Sequence, residues 1–362
     1  MTNYSKTLII AEVGVNHNGS FKTACELVNV AAEAKVDVIK FQIFDTSELV
    51  TPNHSKAAYQ IKSDDFNIMS HYQMLKKLEL KLDDFLELKK FSNKKGLDFL
   101  CTPFDLRSMK FISKKLKLNT VKISSGDIDN IPLIFEASKL FEKIILSTGA
   151  SSVEIIDKSL QIIEHGFINN QKSPIEKILF SKTKKNKSFK NLKNNIFLLH
   201  CTSEYPAPFS EVNLNSIPYL ENRYGLNVGL SDHTKGIHIA TAAVAKGAKI
   251  IEKHFTLDAN QKGPDHKASL EPSELIKLVK NIREVECSFG VDKKVITKSE
   301  EKNIQIIRKV IVADKNIKKG ELFSNTNLTL KRAGKGMSPI NLWSLFGKPA
   351  NRSYFKNEII KS

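Results

Sequence analysis

Eight short apolar runs recur along the first 256 residues, and each ends on a polar side chain. In order they are LIIAEVGV (8–15), VDVIKFQIF (36–44), LDFLCTPF (97–104), NTVKISSGD (119–127), EKIILSTG (142–149), NIFLLHCT (195–202), NVGLSDHT (227–234) and KIIEKHFT (249–256). Most of their length is apolar and often β-branched, as a strand covered on both faces requires. Between them the apolar positions take helical spacing, as in Leu27, Val30, Ala31 and Ala34, or Leu275, Leu278, Val279, Ile282 and Val285. Eight strand-then-helix units predict an α/β fold, a closed (β/α)8 or TIM barrel over residues 8–290, near the ~250 residues usual for it. An open doubly wound sheet is the rival. Its first strand would feed a Gly-rich phosphate loop, and VGVNHNGS offers only Gly14 and Gly19.

After Gly290 the texture changes. VDKKVITKSEEKNIQ reads as a polar linker, placed at 291–302, and the tail from 303 to 362 alternates short apolar runs with Lys-Gly and Asn turns, which suits a small β-rich domain. Domain boundaries of 1–290 and 303–362 follow.

Composition narrows the class. A chain of 362 residues with 41% hydrophobic content can bury one large core and still supply a second small domain. It has no apolar run of ~18 residues and begins with the polar stretch Met1 to Lys6, so neither a membrane span nor a secretory signal is expected, and a cytoplasmic location is. Cys25, Cys101, Cys201 and Cys287 show no CxxC spacing and are expected to be reduced core residues. The net charge of +17 raises a nucleic-acid reading, but only 6 of the 56 basic residues are Arg, and the lysines scatter over helix faces, whereas backbone and base recognition favours clustered Arg with aromatics. The densest lysines, in residues 175–195, read as a solvated surface insertion. No nucleic-acid partner is expected, and the excess charge can attract anionic substrates.

Barrel enzymes place their chemistry at the C-terminal strand ends. The polar residues there are Glu12, Lys40, Gln42, Thr102, Lys122, Ser125, Asp127, Ser147, Thr148, Thr202, Ser203, Ser231, Asp232, His233 and His254. Two lysines with several hydroxyls suit a compact anion carrying phosphate and carboxylate. His233 and His254 stand 254 − 233 = 21 residues apart, one βα unit, at the ends of neighbouring strands. Such a pair can share one divalent metal and leave positions open for water and substrate. His200 lacks an equally placed partner and reads as a satisfied barrel residue. Glu12 is either an acid/base group with a raised pKa or a structural partner for Lys40 or Lys122.

Taken together, IAEVGVNHNGS, VIKFQ, TPFD, KISSGD, ILSTGAS, LLHCTSEYPAP, VGLSDHT, IEKHFTLD, GPDHKASLEP and, in the tail, KKGELFSNTNLTLKRAGKG resemble the sialic acid synthase family, over nearly the whole chain. That resemblance implies condensation of phosphoenolpyruvate with an N-acetylmannosamine-type sugar to give N-acetylneuraminate and phosphate. It implies a divalent metal, typically manganese, on His233 and His254, and phosphoenolpyruvate on Lys40, Thr102, Lys122, Ser125, Ser147 and Ser231. Sugar contacts fall by the same match on Asp127, Tyr205, Asp265 and Arg332, and Glu12 matches the acidic residue beside the reacting carbons. The tail resembles the antifreeze-like SAF domain, a β-clip, which implies a domain-swapped homodimer whose Arg332 completes the other chain's site.

The chain departs from the family pattern in carrying Asp127 where sialate-making members often have Glu, and Ser203 where some have Asn. Both lie near the acceptor, so a legionaminate-type synthase acting on a 2,4-diacetamido-trideoxy sugar is the alternative. The pseudaminate branch fits less well, since its members resemble KIASFE rather than KISSGD. Outside the class stand a metal-dependent aldolase or isomerase, which would need no phosphate-binding lysines, and a basic or antifreeze-like binding protein, which would not need the histidine pair.

Overall fold

The computed structural model describes residues 6–55, 70–168 and 188–361. Most of the Lys-rich stretch, 175–187, lies outside them. The chain divides into two compact units, Met1–Gly290 and Val291–Ser362.

In the first unit the eight apolar runs are parallel strands: β1 (Leu8–Gly14), β2 (Val38–Ile43), β3 (Asp98–Pro103), β4 (Thr120–Ile123), β5 (Lys143–Ser147), β6 (Ile196–Cys201), β7 (Asn227–Asp232) and β8 (Ile250–His254). Their order, β3-β2-β1-β8-β7-β6-β5-β4, is cyclic, and β3 lies against β4, so the sheet is a nearly closed barrel. Helices such as Phe21–Glu33 and Pro272–Ser288 bury their apolar stripes against its outside.

Strand parity divides the side chains into two sets. One set, including Ile9, Ala11, Ile39, Phe41, Cys101, Val121, Ile144, Leu198 and Ile251, packs with the helices in the main core. The other forms a separate cluster inside the barrel, with Ile10, Val38, Leu100, Ile145, Leu199 and Ile250 as its apolar floor. Two residues further along the same strands the inward positions become Glu12, Lys40, Thr102, Lys122, Ser147, Cys201, Ser231 and Glu252. The barrel is therefore greasy at its base and charged toward the C-terminal mouth. At its base Asp37 joins the starts of β1 and β2 to the last barrel helix: its carboxylate accepts from Ile9 N–H at 2.9 Å and Arg283 Nη2 at 2.6 Å and pairs with Lys6.

The second unit begins after Gly290. Lys298–Ile307 is a helix crossing the predicted 302/303 junction, because Thr297 and Glu300 form a capping box that nucleates it. Beyond it, β9 (Val310–Ala313) and β10 (Leu328–Lys331) pair antiparallel, and isolated bridges such as Val312 with Ile359 and Ile317 with Tyr354 complete the β-rich body. Its own core gathers Ile311, Ala313, Ile317, Phe323, Leu328 and Tyr354. All four cysteines are free, and Cys287 is exposed on the solvent face of its helix rather than in the core.

Candidate active site

A cavity of about 370 Å³ opens at the C-terminal mouth of the barrel. Glu12, Lys40, Gln42, Thr102, Lys122, Ser125, Ser147, Ser203, Tyr205, Ser231, His233, His254 and Asp265 all line it. Residues spread over some 250 positions of sequence are thus brought into a space suited to a small ligand.

Its floor is a buried quartet of charges. Lys40 Nζ lies 3.0 Å from Glu12 and 3.3 Å from Glu252, and Lys122 Nζ lies 3.5 Å from Glu252. Lys40 also donates to Thr102 Oγ1 at 3.2 Å, and Ser231 Oγ donates to Glu252 at 2.8 Å. Burial raises the pKa of every carboxyl here, and the two glutamates resolve that pressure in opposite ways. Glu252, flanked by Lys122 and Lys40, is held well below the usual carboxylate range. Glu12 is pushed up, by burial first and then by the Glu252 charge, with Lys40 only partly offsetting them. Glu12 is therefore both of the things its position suggested, partner to Lys40 and a carboxyl with a raised pKa. Burial lowers the pKa of Lys122, whereas for Lys40 the two carboxylates overcome burial and raise it.

Glu252 was not among the strand-end candidates. The signal was present: in IIEKH, parity puts Glu252 on the same side as His254 and Lys253 on the other. Lys253 indeed turns outward, where its ammonium meets Asp232 at 2.8 Å, so Asp232 joins a buried pair between β7 and β8 instead of the cavity.

Above the quartet sit the imidazoles. His233 Nδ1 donates to the Thr202 carbonyl at 2.7 Å, which leaves Nε2 as the lone-pair nitrogen, 3.1 Å from the Tyr205 hydroxyl. The Tyr205 ring stacks on His233 at 4.1 Å between centroids. His254 Nδ1 is buried with no hydrogen-bond partner among the described residues, and Asp265 Oδ2 lies 3.9 Å away. Burial keeps both rings neutral, His233 near a pKa of about 4 and His254 well below its ordinary value, and pushes Asp265 up to about 6. The ring centroids are 5.8 Å apart. Neutral imidazoles with a lone pair each, one oriented by a carbonyl and one unpartnered, have the chemistry of metal ligands. No group of three or more His, Cys, Asp or Glu able to hold a metal occurs among the described residues, so any ion here would take most of its ligands from water or substrate.

Two glycines shape the walls. Gly14 has φ +56°, and a Cβ there would lie 3.0 Å from His254 Cε1; it follows a register shift in β1 after Glu12. Gly149 admits no Cβ either, since one would fall 2.5 Å from Ser203 Oγ and 2.8 Å from Ser125 Oγ. Its N–H donates to Ser125 Oγ at 3.0 Å. Ser147 Oγ is buried and unpartnered among the described residues. The NHNG segment after β1 fixes the loop that carries Asp265: Asn16 Nδ2 donates to the Phe255 carbonyl and to Ser269 Oγ, both at 2.8 Å, and His266 bridges Thr256 Oγ1 and Asn18.

Other candidates are placed elsewhere. Asp127 lies in a 3-10 turn, its carboxylate accepting from Ser124 Oγ at 3.0 Å and Asn130 Nδ2 at 2.9 Å, and it does not line the cavity. Thr148 and Thr202 spend their hydroxyls on the Leu199 and Glu211 carbonyls. His200 bonds the Val212 carbonyl through Nε2, as a satisfied residue should. Arg332 belongs to the second unit, where its Nε donates to the Ile307 carbonyl at 3.1 Å.

Comparison with known proteins matches these features to one group. The chain is 45% identical to the N,N'-diacetyllegionaminic acid synthase of Campylobacter jejuni over 98% of this chain and 99% of that one. It is 32% identical to the human N-acetylneuraminate-9-phosphate synthase, over 94% and 87%. Among solved structures, the sialic acid synthetase of Leptospira borgpetersenii superposes with a TM-score of 0.65 at 32% identity, covering 84% of this chain and 94% of that one. Residues 308–361 match the SAF domain, and residues 27–294, which hold seven of the eight barrel strands with Lys40, Lys122, Glu252 and the histidine pair, match the NeuB family model. The chain belongs to the NeuB family.

Proposed function

We propose that this protein condenses phosphoenolpyruvate with a 2,4-diacetamido-trideoxy hexose of the mannose type and water, giving a legionaminate-type nonulosonic acid and inorganic phosphate. The observation that carries the condensation is the barrel mouth itself, where an anion cradle of Lys40, Lys122, Ser125, Ser147 and Ser231 adjoins two neutral imidazoles. Choice of acceptor rests on the relatives. The sequence reading favoured N-acetylmannosamine, but the 45% relative and the Legionella pneumophila relative at 36% are both named diacetyllegionaminic acid synthases, which supports the alternative instead.

A metal held by His233 and His254, with manganese suited to neutral nitrogen donors and water, would supply Lewis-acid polarisation of the sugar aldehyde. The protein's own groups do the rest. Lys40, Lys122 and the hydroxyls bind the carboxylate and phosphate and aim the methylene carbon at the aldehyde; alignment of this kind can contribute ~7–11 kcal/mol. Carbon–carbon bond formation leaves positive charge at C2 of phosphoenolpyruvate, which water quenches. The aldehyde oxygen must gain a proton and the attacking water must lose one. Glu12, whose pKa burial raises to about 7, holds a proton part of the time near neutral pH and can give the first and recover the second, so the balance closes without another acid. The tetrahedral phosphate then collapses by C–O cleavage. An anionic substrate also compensates the lysines once they turn from Glu12 and Glu252 toward it.

The second unit completes the reading. Ile340, Trp343 and Phe355 on it are at least three-quarters exposed, large apolar side chains that a partner would cover. We assign that partner to a second copy, with Arg332 reaching the other chain's acceptor. The test is phosphate release from phosphoenolpyruvate across a panel of N-acetylated and diacetamido sugars, before and after chelation and with manganese restored. Release with diacetamido sugars that chelation abolishes supports the proposal; release without any sugar, or none with any, removes it.

A further inference from the structure

The two sides of the cavity mouth differ in chemistry. On the β4–β6 side stand Ser124, Ser125, Gly126, Ser203 and Tyr205. On the β1–β3 side, beyond Gln42 and Thr102, the lining is mostly apolar. The helix His71–Leu78 presents positions 71, 74, 75 and 78 to the cavity, which is one helical face, and three of the four are Met74, Leu75 and Leu78. They pack with Val15, Phe44, Leu49 and Phe104 into a cluster separate from the barrel core, with Phe44 and Phe104 edge to face at 6.3 Å. Val15 follows Gly14, which lies against His254, while Phe44 and Phe104 follow β2 and β3 just past Gln42 and Thr102. The wall thus begins beside the imidazoles, with Val15 next to Gly14, and continues through Phe44 and Phe104 to the helix face.

The wall is held in place rather than loosely draped. Ser70 and Gln73 form a capping box at the start of the helix, and Glu79 just past its end accepts from Thr46 Oγ1 at 2.8 Å and Lys76 Nζ at 3.0 Å. His71, whose Nδ1 lies 3.3 Å from His54 Nδ1, is the polar member of this helix face.

We propose that this helix face is the acceptor-specificity element, and that Met74 and Leu75, with Phe44 and Phe104 behind them, select a sugar whose terminal carbon is a deoxy methyl group rather than a hydroxymethyl. The inference rests on the condensation proposed above. A hydroxyl placed against Met74 and Leu75 would lose its water to carbon and sulfur, whereas a methyl is buried at no such cost. A purely apolar pocket discriminates against one added hydroxyl by about 10–100-fold.

Two acceptors that differ at a single atom test it: 2,4-diacetamido-2,4,6-trideoxymannose and its 6-hydroxy counterpart, with phosphoenolpyruvate saturating and phosphate release as the readout. The full-length protein should prefer the deoxy sugar by about 10–100-fold in kcat/KM. Leu75→Gln and, separately, Met74→Gln should each reduce that ratio several-fold while the KM for phosphoenolpyruvate stays within about twofold. Leu75 is half-buried, so its variant tests the wall even if the Met74 variant is unstable. A ratio near one in the unmodified protein, or a ratio unmoved in an active Leu75→Gln variant, overturns the inference while the condensation stands. Failure of both sugars to release phosphate overturns the condensation, and the specificity assignment with it.

Discussion

Replacing Glu252 by Gln keeps the side-chain shape and removes one charge from a buried set of two carboxylates and two ammonium groups. Glu252 lies 3.3 Å from Lys40 and 3.5 Å from Lys122. With an effective dielectric of about 20, each attraction amounts to about 5 kcal/mol. Against that loss, the variant no longer buries an ionised carboxylate, a saving of several kcal/mol, and Glu12 loses a like-charged neighbour. Glu12 can then ionise more readily and compensate Lys40. The net expectation is about 3 kcal/mol of destabilisation, the low end for breaking a buried pair. Urea unfolding followed by far-ultraviolet circular dichroism measures it in the barrel, while the single tryptophan, Trp343, reports the second unit by fluorescence. The barrel midpoint should fall and the tryptophan midpoint should hold. Added inorganic phosphate should recover more stability in the variant than in the parent, because it supplies the missing negative charge. A loss below about 1 kcal/mol would refute the reasoning, since it would mean the lysines do not depend on Glu252 for compensation.

Three further outcomes are expected. Asp37, although burial alone would raise its pKa, is held below the ordinary value by Lys6, the Ile9 N–H and Arg283, so its contribution is complete above about pH 4 and fades as pH falls through its folded value; Asp37→Asn should cost about 1–2 kcal/mol at pH 7 and almost nothing near pH 2.5, read by thermal unfolding. Gly149→Ala, whose methyl would press on Ser203 and Ser125, should raise the KM for phosphoenolpyruvate at least about tenfold with the fold intact by circular dichroism. Trp343→Asp with Ile340→Asp should convert a dimer to a monomer in sedimentation experiments; a parent protein already monomeric at micromolar concentration would contradict the assigned partner.

Much of the barrel was legible because strands covered on both faces leave long apolar runs, and because β-strand parity is rigid. The same parity explains how far the site could be read. Lys40, Thr102, Lys122, Ser147 and Ser231 all end strands with the inward parity and all line the cavity. The strand-end candidates omit Glu252, two positions before His254 and of the same parity, and include Asp232, one position after the inward-facing Ser231 and therefore facing out. Past the strand ends parity lapses: the Ser124 and Asn130 side chains claim Asp127, and backbone carbonyls claim Thr148 and Thr202. The helix at 71–78 carries no strand-end polar residue, and its cavity-facing Met74, Leu75 and Leu78 are apolar, so nothing in its sequence marks it as part of a site. The helix at 298–307 was hidden for another reason: a capping box in a polar stretch carries less weight than hydrophobic periodicity, so the linker reading prevailed.

The central claim is a phosphoenolpyruvate condensation that breaks the C–O bond, and phosphoenolpyruvate labelled with oxygen-18 at the bridging position tests it most directly. With the diacetamido trideoxy sugar as acceptor, the account predicts nonulosonic acid and inorganic phosphate in equal amounts, with the label in the phosphate. Unlabelled phosphate, or label-bearing phosphate released without any sugar product, would contradict it.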